Sequence, residues 1–411
     1  MRAGDGMMIR KTCRLCSSER LDLALKLNPT ALCDAYLLER EEQETYPLNL
    51  CLCAACGFVQ IDCVIDPEKI YRDYIFVTTS SSPLTPHFSQ YAEDVLSRTK
   101  LEKNVSVIDI GSNDGTLLRA FKAKGCSVQG VEPAIEIAQQ ANASGIPTIP
   151  EFFTPSVAKQ IVGSSGPTDI VTVNNLFANV DDLDDFVQSV NVVLRDGGFL
   201  IVESSYLKDM LENMVFDFIY HEHLSYFSIR PLIKFFRKHQ MTLVDAVSVE
   251  TKGGSLRYFI QKTTNQPEVT DGLQALIEAE KAAALDQLAT YRRFSERIES
   301  AKTSLHEFLK HQTKESVVGY GASATSTTLI GMFELQDYLG CLVDDFDAKQ
   351  GTFSPGNHIP VKAPSILEHE EIKVVVILAW RYAEEILKKH AYFRGIFVIP
   401  LPELKIVSVD G

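Results

Sequence analysis

The sequence predicts an α/β protein in three parts: a small metal-stapled module, a parallel sheet covered by helices, and a second, smaller strand–helix unit. Three observations carry this reading. Cysteines crowd the first part, at Cys13, Cys16, Cys33, Cys51, Cys53, Cys56 and Cys63. From Val105 onward, short β-branched runs alternate with helical patterns. After a long helical stretch, a strand, glycine loop and helix recur from Val317.

A chain of 411 residues exceeds one ordinary core and suits two or three. Hydrophobic residues at 45% and charged residues at 23% are the balance of a globular protein, so most of the chain should fold. The net charge of −14 argues against the broad basic surface that tracks nucleic-acid phosphates. No apolar run approaches the roughly 18 residues of a membrane span, and Met1 to Lys11 lacks the apolar core of a secretion signal. The expectation is a cytoplasmic protein without nucleic-acid or membrane partners. An odd cysteine count, nine, points to a reducing compartment and to zinc or buried thiols over disulfides.

In chain order, residues 10–75 read as the zinc-binding N-terminal module. The Thr/Ser-rich stretch from Thr78 to Pro86, with Pro83 and Pro86, marks a boundary near residue 80. A helical segment from His87 to Arg98 follows. Strands are expected at Val105–Ile110, Ser127–Val131, Asp169–Val173 and Gly198–Glu203, within a domain of residues 80–270. Leu273 to Lys310, rich in Ala, Glu, Leu and Lys, reads as one long helix or a pair. The last unit, residues 271–411 including that helical linker, carries apolar runs at Val317, Cys341–Val343, Val374–Leu378 and Ile396–Ile399.

Cys13-x-x-Cys16 and Cys53-x-x-Cys56 are two thiolate pairs, the second followed by Gly57. Four thiolates close a tetrahedral zinc site and leave no position for substrate, so the expected role is structural. Cys33, Cys51 and Cys63 read as buried thiols.

The strand ending Asp109-Ile110 runs into Gly111-Ser112-Asn113-Asp114-Gly115 and a helix from Thr116. Glycines let the backbone turn sharply and approach a ligand, and acids there can meet a cationic amino group. The spacing Asp109-x-Gly111-x-x-x-Gly115 is not the GxGxxG of a dinucleotide pyrophosphate site. Glu132, ending the next strand in Gly130-Val131-Glu132-Pro133, is placed to take both ribose hydroxyls. Asn174-Asn175 ends a third strand. Together Asp109, Gly111, Asn113, Gly115, Glu132 and Asn174 point to a phosphate-free nucleoside bearing an amino acid, S-adenosylmethionine. The central unit thus reads as a Rossmann-like class I methyltransferase domain.

A second loop, Gly319-Tyr320-Gly321, precedes a helical stretch from Thr327 to Met332, and Asp344-Asp345 ends the next strand. This unit reads as a Rossmann-like α/β domain. Its amides could meet an anion, although the full dinucleotide spacing is not kept. Acceptor-nucleotide binding or scaffolding is expected there, not a nicotinamide site.

Between strands lies Phe216-Asp217-Phe218-Ile219-Tyr220-His221-Glu222-His223-Leu224-Ser225-Tyr226-Phe227-Ser228, dense in groups that move or hold protons. Tyr220 to Ser228 resembles the signature of sugar C-methyltransferases acting on nucleotide-linked 4-keto-deoxyhexoses, as in the tetronitrose and mycarose pathways. The resemblance covers nearly the whole chain. It includes both CxxC pairs with Pro47-Leu48 and Gly57-Phe58-Val59-Gln60, Asp73-Tyr74, both glycine loops, Val343-Asp344-Asp345, and Pro355-Gly356-x-His358-Ile359-Pro360. It implies a zinc module, a methyltransferase core and a C-terminal Rossmann-like domain that helps hold the nucleotide sugar, dTDP-linked in such pathways. It also implies a base that removes the proton beside the ketone, so that an enolate attacks the donor methyl.

Carried onto this chain, the resemblance makes His223 the base, with Tyr220 and Glu222 placing the sugar and Tyr74 reaching the keto oxygen. His221 is a structural hydrogen-bonding residue in that scheme. Two positions depart from the pattern. Asn179 stands where a histidine is usual and cannot act as a base near neutrality, and Thr325 stands where a lysine is usual. Methyl transfer to oxygen or nitrogen, and a non-catalytic zinc-stapled scaffold, are the alternatives. The first would survive loss of His223 better, since its acceptors need less help with a C–H proton, and the second would not bind the donor.

Overall fold

The computed structural model describes residues 6–71, 84–101, 104–263 and 267–408. At the N-terminus, β1 (Met7–Ile9) pairs antiparallel with β5 (Cys63–Ile65), just before the short α1 (Pro67–Tyr71). Between them β2 (Leu21–Thr30), β3 (Tyr46–Cys53) and β4 (Val59–Ile61) form an antiparallel meander. Few regular segments were expected here, yet the alternation around Leu25-Lys26-Leu27 buries both leucines and exposes the lysine, as a half-buried strand requires.

The central sheet follows α2 (Leu84–Thr99). Its elements are β6 (Ser106–Ile110), α3 (Thr116–Ala123), β7 (Ser127–Val131), α4 (Ile135–Ala143), β8 (Thr148–Ile149), α5 (Pro155–Ser165), β9 (Thr168–Asn174), α6 (Leu183–Val193) and β10 (Leu194–Ser205). These five strands are parallel. Beyond α7 (Leu207–Glu212), β11 (Ser225–Tyr226) and α8 (Ile229–Lys238), the chain makes β12 (Met241–Val249) and β13 (Ser255–Lys262). The sheet order is β12-β13-β10-β9-β6-β7-β8, with β13 antiparallel to both neighbours.

That reversed strand departs from the parallel sheet expected. Its tight return runs through Gly253 and Gly254, at φ +84 and +121. A Cβ on Gly254 would stand 2.5 Å from the Cβ of Asp209, so the turn needs glycine for space as well as for φ.

The helical stretch is a pair, α9 (Asp271–Ala282) and α10 (Leu288–Leu309). Thr270 caps α9, its hydroxyl accepting from the Leu273 amide. Buried Glu280 on α9 accepts from the amides of Ile229 and Arg230 and from the Tyr206 hydroxyl, which satisfies the otherwise orphaned start of α8. The last unit comprises β14 (Val317–Tyr320), α11 (Ala324–Phe333), β15 (Cys341–Val343), β16 (Val361–Lys362), β17 (Val374–Ile377), α12 (Ala383–Lys389), β18 (Ile396–Ile399) and β19 (Lys405–Ser408). Its order is β16-β15-β14-β17-β18-β19, parallel except for β19.

The three parts are not strung beads. β11, from residues 225–226, is the edge strand of the N-terminal sheet. One continuous apolar cluster joins Leu48 and Leu50 of β3, Phe216 and Ile219, Phe294 and Ile298 of α10, and Leu329 and Phe333 of α11. The segment around residue 216 is therefore held from three sides. Among the described residues, no helix is long and apolar enough to cross a membrane.

Candidate active site

The four cysteines of the two CxxC pairs converge. Their sulfurs lie within 4.8 Å of one another, with Cys13 to Cys56 and Cys16 to Cys53 at 3.6 Å. Zinc–sulfur bonds of about 2.3 Å in a tetrahedron put sulfurs roughly 3.8 Å apart, so the set fits the ion. The knuckle also carries Arg14, whose side chain is buried. Its Nη1 donates to the carbonyls of Ile61 (2.7 Å) and Leu224 (3.2 Å), and Nε to Asp181 (2.9 Å). Burial draws its pKa down to about 10. The metal module thus grips the loop that holds the two histidines.

At the carboxyl end of β6, the Gly111 amide donates to the Val131 carbonyl at 2.8 Å, with Gly111 at φ +73. The Glu132 carboxylate accepts from Asn113 N–H on Oε2 and from Ala134 N–H on Oε1, both at 2.9 Å. This holds its two oxygens side by side while each keeps a lone pair for a hydroxyl. Asp114 accepts from the amide and hydroxyl of Thr116, the first residue of α3. Gly115 opens that helix at φ +78. A Cβ on Gly130 would meet Ser112 Oγ at 2.4 Å, so the loop closes down on this strand. The Asn174 side-chain oxygen is buried with no donor on it among the described residues. An open-backed glycine loop, a paired carboxylate and an orphaned acceptor fit a nucleoside bearing an amino group.

Asp109 lies beneath this loop, buried, and accepts from the Thr172 hydroxyl at 2.6 Å. Burial pushes its carboxyl up to about 8, helped by the neighbouring Glu132 charge and opposed by Thr172. The folded form therefore keeps a proton that the unfolded chain releases near 3.9. That contribution to stability is complete below the unfolded value and is lost as pH rises through about 8. Between about pH 5 and about pH 9, the melting temperature of ligand-free Asp109→Asn is expected to fall less steeply than that of wild type. Parallel slopes in differential scanning calorimetry would sink the assignment.

His223 lies across from the ends of β9 and β10, lining a small pocket with Asn175, Ala178, Ser204, Phe218 and Ser225. Its Nδ1 is 3.1 Å from the Phe218 carbonyl, and its Nε2 is 3.1 Å from the Tyr220 hydroxyl. A carbonyl only accepts, so the neutral ring carries its proton on Nδ1 and presents a basic Nε2 toward Tyr220. His221 points away, its Nε2 at 3.2 Å from the Pro47 carbonyl, and burial lowers its pKa. Glu222 is half-buried beside these residues. Tyr74 lies outside the described residues.

Sequence reasoning gave no role to the charges that fix this segment. Asp217, fully buried, accepts from Trp380 Nε1 (3.0 Å) and from Arg381 Nη1 on both oxygens (2.9 Å each). Burial raises its pKa even against that guanidinium. Arg381 stacks over Phe218 and reaches the Thr325 hydroxyl at 3.2 Å. Beside Thr325, where the resemblance has a lysine, a cation is thus present from a different strand end. Nor was a second buried network foreseen: Glu203 accepts from Arg257 Nε (3.0 Å) and pairs with His87 Nε2 (2.9 Å), and Arg257 stacks on Tyr91. The only sequence signal for these was a charge inside an apolar run, as at Asp217.

Three family profiles tile this chain: a zinc binding domain over residues 13–71, a methyltransferase domain over 86–246, and a C-methyltransferase C-terminal domain over 250–402. The chain is 29% identical over 409 residues to the C-methyltransferase NovU of Streptomyces niveus, covering 97% of each. Among solved structures, it is similar to an S-adenosylmethionine-dependent methyltransferase from Clostridium acetobutylicum (14% identity, 48% of this chain and 96% of that one, TM-score 0.35). It is also similar to the 1,6-didemethyltoxoflavin-N1-methyltransferase of Burkholderia thailandensis (16%, 47% and 82%, TM-score 0.33). The profiles and the curated relative define an S-adenosylmethionine-dependent methyltransferase, with that donor and zinc as its cofactors. It is a C-methyltransferase. Together, the three profiles and the relative support a sugar C-methyltransferase family for this chain.

Proposed function

We propose that this enzyme methylates the carbon beside the ketone, C-3, of a nucleotide-linked 4-keto-deoxyhexose, carried on dTDP, with His223 as the base. The observation that carries this reading is the fixed tautomer of His223. Its Nδ1–H is committed to the Phe218 carbonyl, which leaves Nε2 basic at the edge of the pocket. Adenosylmethionine supplies an electrophilic methyl on its sulfonium. Glu132 and Asn174 hold its ribose and amino-acid ends, and the Gly111 to Gly115 loop lets it approach the backbone. His223 Nε2 takes the proton from the carbon next to the ketone, and Tyr220, 3.1 Å from that nitrogen, steadies the oxygen that gains charge. Glu222 orients the sugar, and the Tyr74 hydroxyl is assigned to the keto oxygen. Residues 80–270 bind the donor, and residues 271–411 hold the nucleotide. A cytoplasmic setting suits nine cysteines without a disulfide.

Mass spectrometry of the reaction with adenosylmethionine and a dTDP-linked 4-keto-deoxyhexose in deuterated water tests this. The expected product gains one carbon-bound methyl, and without donor the same carbon takes up deuterium. A methyl on oxygen or nitrogen, or no product from a protein that binds the donor, would overturn the acceptor assignment.

A further inference from the structure

The C-terminal sheet repeats the hydrogen-bonding scheme of the donor site. The Gly321 amide donates to the Val343 carbonyl at 2.8 Å, as Gly111 does to Val131. In both units the residue after that carbonyl is an acid whose two oxygens are held by two backbone amides. Asp344 Oδ2 accepts from Ala322 N–H at 2.6 Å, and its Oδ1 accepts from Phe346 N–H at 2.8 Å. As with Glu132, one amide comes from the glycine loop and the other from two residues beyond the acid. A carboxylate fixed this way presents paired oxygens to a vicinal diol.

The strand order places a turning point beside β14, where one connection leads to β15 and a later one to β17 on its other side. Ligands of open α/β sheets bind in such crevices. A cavity of about 260 Å³ opens there, lined by Tyr320, Gly321, Asp344, Ala379 and Tyr382 among others. Gly321, at φ +111, keeps it open, because a Cβ would sit 2.7 Å from that of Ala379. Tyr382 offers an exposed ring at its wall.

The remaining lining decides what enters. Asp345 and Glu385 are acids, and Lys389 is already paired with Asp345 at 2.5 Å. At the start of α11, the Ala322 amide is taken by Asp344, while the amides of Ser323 and Ser326 are taken by each other's hydroxyls. A phosphate would meet negative charge and few free amides, unlike the usual dinucleotide site.

We propose that this crevice is a second nucleoside site, one that takes a phosphate-free ribonucleoside with its 2′,3′-diol on Asp344 and its base against Tyr382. The thymidine of a dTDP-sugar has no such diol and is a different ligand. The proposal rests on reading Glu132 as the ribose clamp of the donor.

Calorimetric titration of the full chain with adenosine tests it. Two binding events are expected in wild type. Glu132→Ala should lose one together with adenosylmethionine binding, and Asp344→Ala should lose the other while donor binding persists, which also shows that this variant is folded. 2′-Deoxyadenosine should bind the second site at least about tenfold more weakly in unaltered protein. A single event in wild type, or a second one indifferent to both Asp344→Ala and the 2′-hydroxyl, overturns the site. Adenosylmethionine binding that survives Glu132→Ala overturns the clamp reading instead.

Discussion

His223→Asn is expected to lower kcat for carbon methylation by about 10²–10⁴-fold, the usual contribution of a positioned base, with donor affinity unchanged. Asparagine can still donate to the Phe218 carbonyl, so the loop keeps its anchor, but it has no nitrogen able to take a proton near neutrality. The loss should fall on the proton step itself. Deuterium uptake by the acceptor in the absence of donor should vanish in parallel with methylation. Tyr220→Phe removes the hydroxyl 3.1 Å from Nε2 and should reduce the rate while leaving some uptake. If His223→Asn methylated at the wild-type rate, the base would have to be sought elsewhere in the pocket.

Removing zinc is expected to abolish activity through structure, although the metal takes no part in the chemistry. Structural zinc contributes an apparent binding energy of roughly 10–16 kcal/mol, comparable to the whole stability of a typical domain. The sulfurs hold the turn that contains Arg14, and Arg14 spans Ile61, Leu224 and Asp181. Gln60 closes the same corner, accepting from the Arg14 amide at 2.8 Å. Without the metal, a buried guanidinium loses its frame and Leu224, the residue after His223, loses an anchor. Hydrogen exchange on chelated protein, or on Cys13→Ser, should show lost protection over residues 13–61 and 219–226 and preserved protection in β6 to β10. Full protection with full activity after verified metal loss would refute a structural zinc.

Much of the fold was legible because periodic burial writes itself into sequence. Ser127–Val131, Cys341–Val343 and Ile396–Ile399 are strands at the residues expected. β9 and β10 run longer than their apolar cores, since Thr168 and Leu194 continue the ladder without continuing the pattern. β2 and β3 were obscured by the cysteines around them, and β12 and β13 by polar residues on alternate positions. For the site, the glycine loop and Glu132 could be read locally, because a turn and the acid after the next strand are set by neighbours in the chain. The roles of Arg14, Asp217 and Arg381 could not, since each depends on a partner more than 150 residues away.

By itself the sequence determined the α/β class and the cysteine set for zinc, and it singled out the glycine loop and the histidine-bearing segment as candidates. All of these are short-range patterns in which spacing alone constrains the chemistry. Tertiary structure alone decided the reversed β13, the sharing of β11 with the N-terminal sheet, and the tautomer of His223. It also decided that Arg381 donates to Thr325 and that Asp344 is held by two backbone amides, as Glu132 is. These depend on which buried donor meets which buried acceptor. In a desolvated interior, an unmet polar group costs about as much as the bond it lacks, so the pairing is fixed by the whole packed arrangement.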